Sequence, residues 1–433
     1  MVFSPATQPY KGKTTLKSYI FPKKMKKPLL YFLSFLFSIQ GTLAQGYLSL
    51  SGKIIDAQTK EPIANAYVGL LKRGTGTISN EDGQFVYRFP RIANDSVLVV
   101  AVAGYRTFQQ KASSFAANQK DVLITLEPAR PQVVDSGFVR RFEARELVAA
   151  ALRKVKANAS PQPYLLTGFY KETLQQDGQY IEIKEAVLQS EKDPRPKILI
   201  PEKTKVVKNR IFQNDNRSKI LEGYAFPNGA SIVTHSMDVG LPEYLEGNAM
   251  YDYNYQLDDT LTFYLDKSVF RVRFWPVSTT AKGARVGIMT INAADSAIVR
   301  IEYDFTANGM KDILNTGTMN KILGDNKRTP KRLYTCINYK PYLGKWYLQD
   351  YQLLLNTEFK QNKKTVTGLI RVHFVTTEIM KSNGGRVAES DILLNTDEFS
   401  LQTIPKYEDS IWANFNYVVS TEAMRQIAGS LKK

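Results

Sequence analysis

Residues 50–71 read LSGKIIDAQTKEPIANAYVGLL, residues 76–90 read GTISNEDGQFVYRFP, and residues 96–108 read SVLVVAVAGYRTF. Leu48, Leu50, Gly52 and Ile54 alternate with polar positions, and residues 56–62 form a polar turn ending in Pro62. Ala66, Val68 and Leu70 alternate again. Asn80-Glu81-Asp82-Gly83 is a tight turn in which glycine supplies a positive φ. Phe85, Tyr87 and Phe89 make the next alternating strand, and residues 97–102 are a continuous apolar run suited to burial on both faces. Val122, Ile124 and Leu126 close the unit. Short strands at this spacing over residues 47–128 predict a β-sandwich.

These residues resemble the carboxypeptidase regulatory-like domain. The matching positions are Gly52, Asp56, Pro62, Ala66, Val68, Gly76, Thr77, Asp82, Gly83, Phe85, Gly104 and Tyr105, with Asn80 where that pattern often has aspartate. The resemblance implies a transthyretin-like fold, found in front of many TonB-dependent receptors and other Gram-negative envelope proteins. It implies no catalysis, because in carboxypeptidases the zinc site lies in a different domain. This chain has no H-x-x-E or H-E-x-x-H motif. Asp56 and Asp82 are expected to be turn carboxylates bonding nearby amides, since the ligand ladder of a calcium loop is missing.

Upstream, residues 23–27 read KKMKK, residues 28–39 read PLLYFLSFLFSI, and small residues follow as far as Ala44. This is the three-part pattern of a secretory signal peptide, too short to span a bilayer. Residues 1–44 are therefore expected to be a leader and signal, cut after Ala44, with Met25 the natural start. No cysteine follows the apolar run, so there is no lipobox. The whole chain carries 58 basic and 41 acidic residues, net +17. Seven lysines and no acids lie in residues 1–44, leaving 51 basic against 41 acidic residues, net +10. An exported protein with scattered basic residues is not expected to bind nucleic acid; its natural counterpart is an anionic envelope surface. The clusters at 203–210 and 321–331 are expected to be solvated loops. No second long apolar run exists, so an integral helical membrane protein is not expected.

Residues 129–141, with Pro131 and Gly137, lack periodicity and read as a linker. Residues 142–433 then form the second predicted domain. Leu147, Val148, Ala151, Leu152 and Val155 recur at helical spacing and predict a helix docked on a core. Residues 164–173 and 179–190 predict a hairpin across Asp177-Gly178. Strands are predicted at 251–255, 270–274, 286–291, 297–305, 334–339, 346–355 and 365–376, and a second helix at 421–431. The fold class is mostly β: a sandwich followed by a larger antiparallel sheet or half-barrel with a few helices. GFYKE (168–172), IEIKEAVLQ (181–189) and YEDSIWANFNYVVSTEAMRQI (407–427) resemble the two ends of an uncharacterised family that carries the same regulatory-like domain in front. GIMTINAADSAIVRIEYDF (287–305) is similar to a strand-turn-strand repeat of outer-membrane lipoprotein carriers, which implies a half-barrel holding an acyl chain.

The catalytic inventory is sparse. One cysteine, Cys336, excludes an intramolecular disulfide and a multi-thiolate zinc site, and with two histidines a multi-histidine metal site is not expected. There is no G-x-S-x-G, P-loop or G-x-G-x-x-G in context. Cys336 reads as a small buried hydrophobe in a strand, and His373 shares a polar strand face with Arg371. The pairs Glu182/Glu185 and Asp258/Asp259 mean nothing without geometry. Among 22 Phe, 24 Tyr and 3 Trp, the candidate ligand-binding aromatics are Tyr251, Tyr253, Tyr255, Trp275 and Trp346. The reading is a non-catalytic, exported protein of the periplasm or outer membrane, with no cofactor or metal. The sandwich is an accessory module, and the larger domain binds an envelope protein, glycan or lipid partner. The alternatives are a carboxypeptidase-related hydrolase and a periplasmic lipid-binding half-barrel.

Overall fold

The computed structural model describes residues 46–129, 132–133, 143–193, 203–213, 245, 247–258, 260–278, 283–315, 328–361, 364–382, 384–393 and 408–430. The predicted signal peptide and residues 321–327 of the basic cluster at 321–331 lie outside the described residues. Two small sheets make the sandwich. β1 (Tyr47–Asp56), β4 (Gln84–Pro90) and β7 (Gln119–Leu126) form one in the order β4-β1-β7. β2 (Tyr67–Leu70), β3 (Gly76–Ile78), β5 (Val97–Ala101) and β6 (Phe108–Lys111) form the other in the order β3-β2-β5-β6. The alternation read from the sequence fills the space between them: Leu50, Ile54, Val68, Phe85, Tyr87, Leu98, Val100 and Ile124 are all buried in one cluster.

The remaining strands build one large antiparallel sheet. They are β8 (Gln132–Val133), β9 (Tyr164–Gln176), β10 (Gln179–Lys192), β11 (Lys203–Gln213), β12 (Tyr253–Leu257), β13 (Thr260–Tyr264), β14 (Lys267–Pro276), β15 (Arg285–Asn292), β16 (Ile298–Phe305), β17 (Arg328–Tyr342), β18 (Lys345–Gln361) and β19 (Lys364–Lys381). Their order is β11-β10-β9-β19-β18-β17-β16-β15-β14-β13-β8, with β12 also paired to β14. The sheet is open, with β11 and β8 at its edges. The β9–β10 hairpin turns through Asp177 (φ 48°) and Gly178 (φ 83°), the left-handed pair that a two-residue connection requires. Among the described residues there is no helix long and apolar enough to cross a membrane.

Alternation along each strand gives the sheet two unlike faces. Leu333 and Ile337 of β17 stand opposite Leu355 and Tyr351 of β18, which stand opposite Ile370 and Phe374 of β19, then Leu174 and Tyr170 of β9. This face is apolar. Helix α1 (Ala144–Asn158) packs on it through Val148, Ala151 and Val155. The opposite face is polar, and the sandwich sits on it. Gly74, in the sandwich, accepts the amide of Ile379 in β19 at 3.1 Å. A Cβ at Gly74 would lie 2.5 Å from the Ile379 carbonyl oxygen, so only glycine permits the approach. Helix α2 (Ala307–Asn315) follows β16, and α3 (Glu422–Ser430) ends the described chain.

Three expectations need correction. Residues 328–331 of the basic cluster at 321–331 are the start of β17, paired with β18, not a solvated loop. The basic run at 203–210 is the edge strand β11, not a solvated loop, and Arg210 in it is 2 % exposed. Its charge is tolerated because Glu185 and Asp409 pair with it. The alternating tyrosines at 251–255 begin in a 3-10 helix (Gly247–Asp252), and the strand starts only at Tyr253. The Asp252 carbonyl instead accepts the amide of Val277.

Candidate functional site

The polar face carries a single row of side chains running across the strands. Glu302 stands opposite Cys336, Cys336 opposite Gln352, Gln352 opposite His373, and His373 opposite Lys171. Lys171 stands opposite Glu185, and Glu185 opposite Arg210. Seven strands therefore contribute one polar group each to a line that no local stretch of sequence contains. Arg300, Asn338 and Asp350 form the neighbouring row.

One end of this surface is sealed by the late chain segment. Arg210 donates to Glu185 and, at 2.7 Å, to Asp409, with its guanidinium over the Trp412 ring. Lys171 Nζ lies 3.1 Å from Glu185. Trp412 and Tyr417 pack on Phe169, and Ile78 of the sandwich joins the same cluster. The segment then binds the sandwich directly. Thr77 Oγ1 donates to the Tyr417 carbonyl at 2.8 Å, and Asn80 Nδ2 donates to the Val419 carbonyl at 3.2 Å. Asn416 brackets the backbone of Arg88, accepting its N–H at 2.7 Å and donating to its carbonyl at 3.0 Å. That pairing covers the exposed edge of β4 as a further strand would. Asp82 accepts the amide of Glu422 at the start of α3. Asp56 accepts the amides of Gln58 and Thr59 and the hydroxyl of Tyr105. Among the described residues, no group of three or more His, Cys, Asp or Glu side chains is placed to hold a metal ion.

Between sandwich and sheet lie two cavities of about 240 and about 450 Å³. The smaller has Lys171, Arg371 and His373 on its floor and Asn80 and Glu81 in its roof. The larger runs over Gln349, Arg300, Glu302, Thr290 and Arg271, under Ala101 and Gly104 of the sandwich. Asn65, Tyr334 and Gln352 line both, so the two form one groove. Its floor crosses from β9 to β14. At ~4.8 Å between strands, this order makes the groove about 29 Å long.

The electrostatics of the floor are specific. Asp350 is fully buried and accepts from Asn338, Gln349 and Gln352, each at 3.0 Å. Burial alone would raise its carboxyl, but the His373 imidazole and these amides hold it below the usual range. His373 Nε2 stands 3.6 Å from Asp350 Oδ1. Glu302 accepts from Arg300 at 2.7 Å and from the Tyr334 hydroxyl at 2.9 Å. Burial opposes its ionisation, yet Arg300 and Tyr334 keep the carboxyl below its ordinary value. Cys336 is buried, and burial pushes its thiol up to about 12.

The candidate aromatics fall elsewhere. Tyr253 is buried edge-on to Phe274, and its hydroxyl accepts the Arg285 amide at 3.3 Å. Tyr255 bonds the Met250 carbonyl. Tyr251 is exposed beside Arg145, and Trp275 is 38 % exposed near the end of β14. Trp346 is buried and donates to Asp295 at 2.9 Å. None of the five lines either cavity. Glu182 and Glu185 lie buried in β10, where Lys184 and Arg210 respectively neutralise them. Asp258 pairs with Arg271 and Arg273, and Asp259 lies outside the described residues. The groove residues Asn65, Arg300, Tyr334 and Gln352 were not among the expected site residues. For Tyr334 and Gln352 the signal is the polar alternation within β17 to β19, namely Tyr334-Cys336-Asn338, Asp350-Gln352 and Arg371-His373; Arg300 alternates with Glu302 in β16, and Asn65 lies in a turn with no such pattern.

Two solved structures are similar to this chain. A DUF1329 family protein from Desulfovibrio piger is 8 % identical, with 58 % of this chain and 99 % of that chain covered and a TM-score of 0.25. A putative membrane-associated protein of unknown function from Bacteroides fragilis is 11 % identical, with 77 % and 99 % covered and a TM-score of 0.15. No curated protein matches. The sandwich described above coincides with a family match: residues 50–134 match the model of the CarboxypepD_reg-like domain.

Proposed function

We propose that this chain is a non-catalytic, exported envelope protein that binds an extended glycan in the groove between sandwich and sheet. The observation that carries the reading is the floor of that groove. It presents amides, guanidinium groups and hydroxyls from Gln352, Asn338, Arg300, Arg271, Thr290 and Tyr334. The floor strands from β9 to β14 are each paired on both sides, so an extended peptide finds no free strand edge there. Recognition must come from side chains, and planar hydrogen-bonding groups beside the Tyr334 and Phe263 rings suit sugar hydroxyls and sugar faces. The apolar face is an unfavourable alternative for a lipid, because α1 and the buried core already occupy it. The chain's one thiol is buried with its proton held, which supports a binding role over a cysteine hydrolase. The regulatory-like domain supports an envelope setting, as an accessory module that roofs the groove.

A glycan array probed with the chain from residue 45 onward, followed by calorimetry on the best ligand, tests this. Saturable binding that Gln352→Ala weakens roughly tenfold is expected, because Gln352 lines both cavities. Glycan hydrolysis abolished by one substitution in the groove would refute the non-catalytic reading.

A further inference from the structure

The groove has a chemically distinct end. Among the described residues four cationic side chains line the two cavities, and three of them already have a carboxylate. Lys171 lies 3.1 Å from Glu185, Arg271 lies 3.6 Å from Asp258, and Arg300 lies 2.7 Å from Glu302. Arg371 is the fourth. Among the described residues it has no carboxylate within 4.0 Å and no hydrogen bond, although it is half-buried in the floor of the smaller cavity. Two positions along the same strand face, His373 Nε2 makes no hydrogen bond and lies 3.6 Å from the Asp350 carboxylate. Above them, the Asn65 carboxamide makes no hydrogen bond among the described residues and lines the same cavity. Glu81 stands in the roof but is exposed, at the mouth.

A guanidinium left unmatched where its neighbours are matched is a site for an anion from outside the chain. Its planar fork fits two oxygens of one oxyanion. We propose that the Arg371 end of the groove is a subsite for an oxyanion-bearing sugar, a carboxylate or phosphate carried on the bound glycan. This rests on the glycan reading above and adds the class of glycan: acidic, with an anionic unit seated on Arg371 beside His373 and Asn65. Lys171 and Glu185 form a neutral pair next to it, so the unmatched charge is that of Arg371 alone.

The test is calorimetry at low salt with oligogalacturonide, its methyl ester (the same backbone without charge) and a phosphorylated maltooligosaccharide. Wild type is compared with Arg371→Gln and Arg371→Lys. Among the described residues Arg371 makes no hydrogen bond or ion pair, so both variants should melt with wild type. The expected result is that an acidic oligomer binds roughly tenfold more tightly than the ester. Arg371→Gln should bring the acid down to the level of the ester and leave the ester unchanged. Arg371→Lys should restore part of the difference. Binding of the phosphorylated oligomer alone, with the same dependence on Arg371, assigns the oxyanion to phosphate and supports the subsite. Equal binding of acid and ester, or an equal loss of both in Arg371→Gln, overturns the acidic subsite and leaves the groove reading standing. Failure of all three probes, with no hit on the neutral array, overturns both.

Discussion

Lys340 of β17 is a fully buried lysine at the junction of sandwich and sheet. Its Nζ lies 3.4 Å from the carbonyls of Gly74 and Thr376 and 5.2 Å from the centroid of the Tyr67 ring. Burial lowers its pKa from 10.5 to about 7, opposed by the field of Asp350. A lysine brought that far corresponds to about 5 kcal/mol against the buried ammonium. In Lys340→Met the cost of burying the charge disappears. The Gly74 carbonyl keeps its bond from Ile379, while the Thr376 carbonyl loses its bond from Nζ and the contact with the Tyr67 ring is lost, together at about 2 kcal/mol. The variant should therefore be more stable than wild type at pH 7, by about 3 kcal/mol after allowing for relaxation. Below pH 7 folded and unfolded chains both hold the proton, so the whole cost is present. Between pH 7 and 10.5 the unfolded chain holds more protons, and wild-type stability gains about 1.4 kcal/mol per pH unit from this group. The advantage of Lys340→Met should shrink accordingly as pH rises. Urea unfolding of both proteins between pH 6 and 9.5, below the range where buried tyrosines ionise, reads it as a difference. A gap that is independent of pH, or a variant less stable than wild type at pH 7, would falsify the reasoning.

Other consequences are directly measurable. Cys336 should resist thiol reagents at pH 8 in the folded protein and react fully in denaturant, since its thiol is buried with a pKa of about 12. Glu185→Gln strips the acid from Lys171 and removes one of the two acids on Arg210, so it should cost about 3 kcal/mol in urea unfolding, whereas Glu61→Gln on the exposed turn should cost almost nothing. Asn416→Ala leaves the Arg88 amide and carbonyl uncovered; it should cost about 1 kcal/mol and speed limited proteolysis of residues 408–421. Protein recovered from the periplasm of a Gram-negative host should begin at Gln45; recovery only from the cytoplasm with residue 1 intact would refute export.

The elements that the sequence makes plain are those set by local pattern. Phe85, Tyr87 and Phe89 alternate into the sandwich core as read, and Val148, Ala151 and Val155 dock α1 as their spacing predicts. The β9–β10 hairpin follows from Asp177-Gly178. Burial of charge was not legible in the same way. Lys203 to Arg210 looks solvated until Asp409, about two hundred residues away, is placed against Arg210. The groove depends on register across seven strands, which no window of sequence contains. Its members were visible only as polar alternation, and His373 with Arg371 was the fragment that showed. The two blocks at 168–189 and 407–427, read as the ends of one family's domain, meet in space, with Phe169 against Trp412 and Tyr417.

The strap from Trp412 to Val419 also orders events in time. The sandwich is translated first and has its own core, so it can fold while the rest of the chain is still being made. Its seat on the sheet is finished only by bonds to partners 324 to 340 residues later, such as those from Thr77 to Tyr417 and from Arg88 to Trp412. Until those residues arrive, the edge of β4 and the Phe169 side of β9 stay uncovered. Before then the sandwich can meet β19 through Gly74 and Ile379, but the edge of β4 is bare. The strap thus makes the finished roof of the groove depend on residues 412–419, which are made long after the sandwich strands they bind.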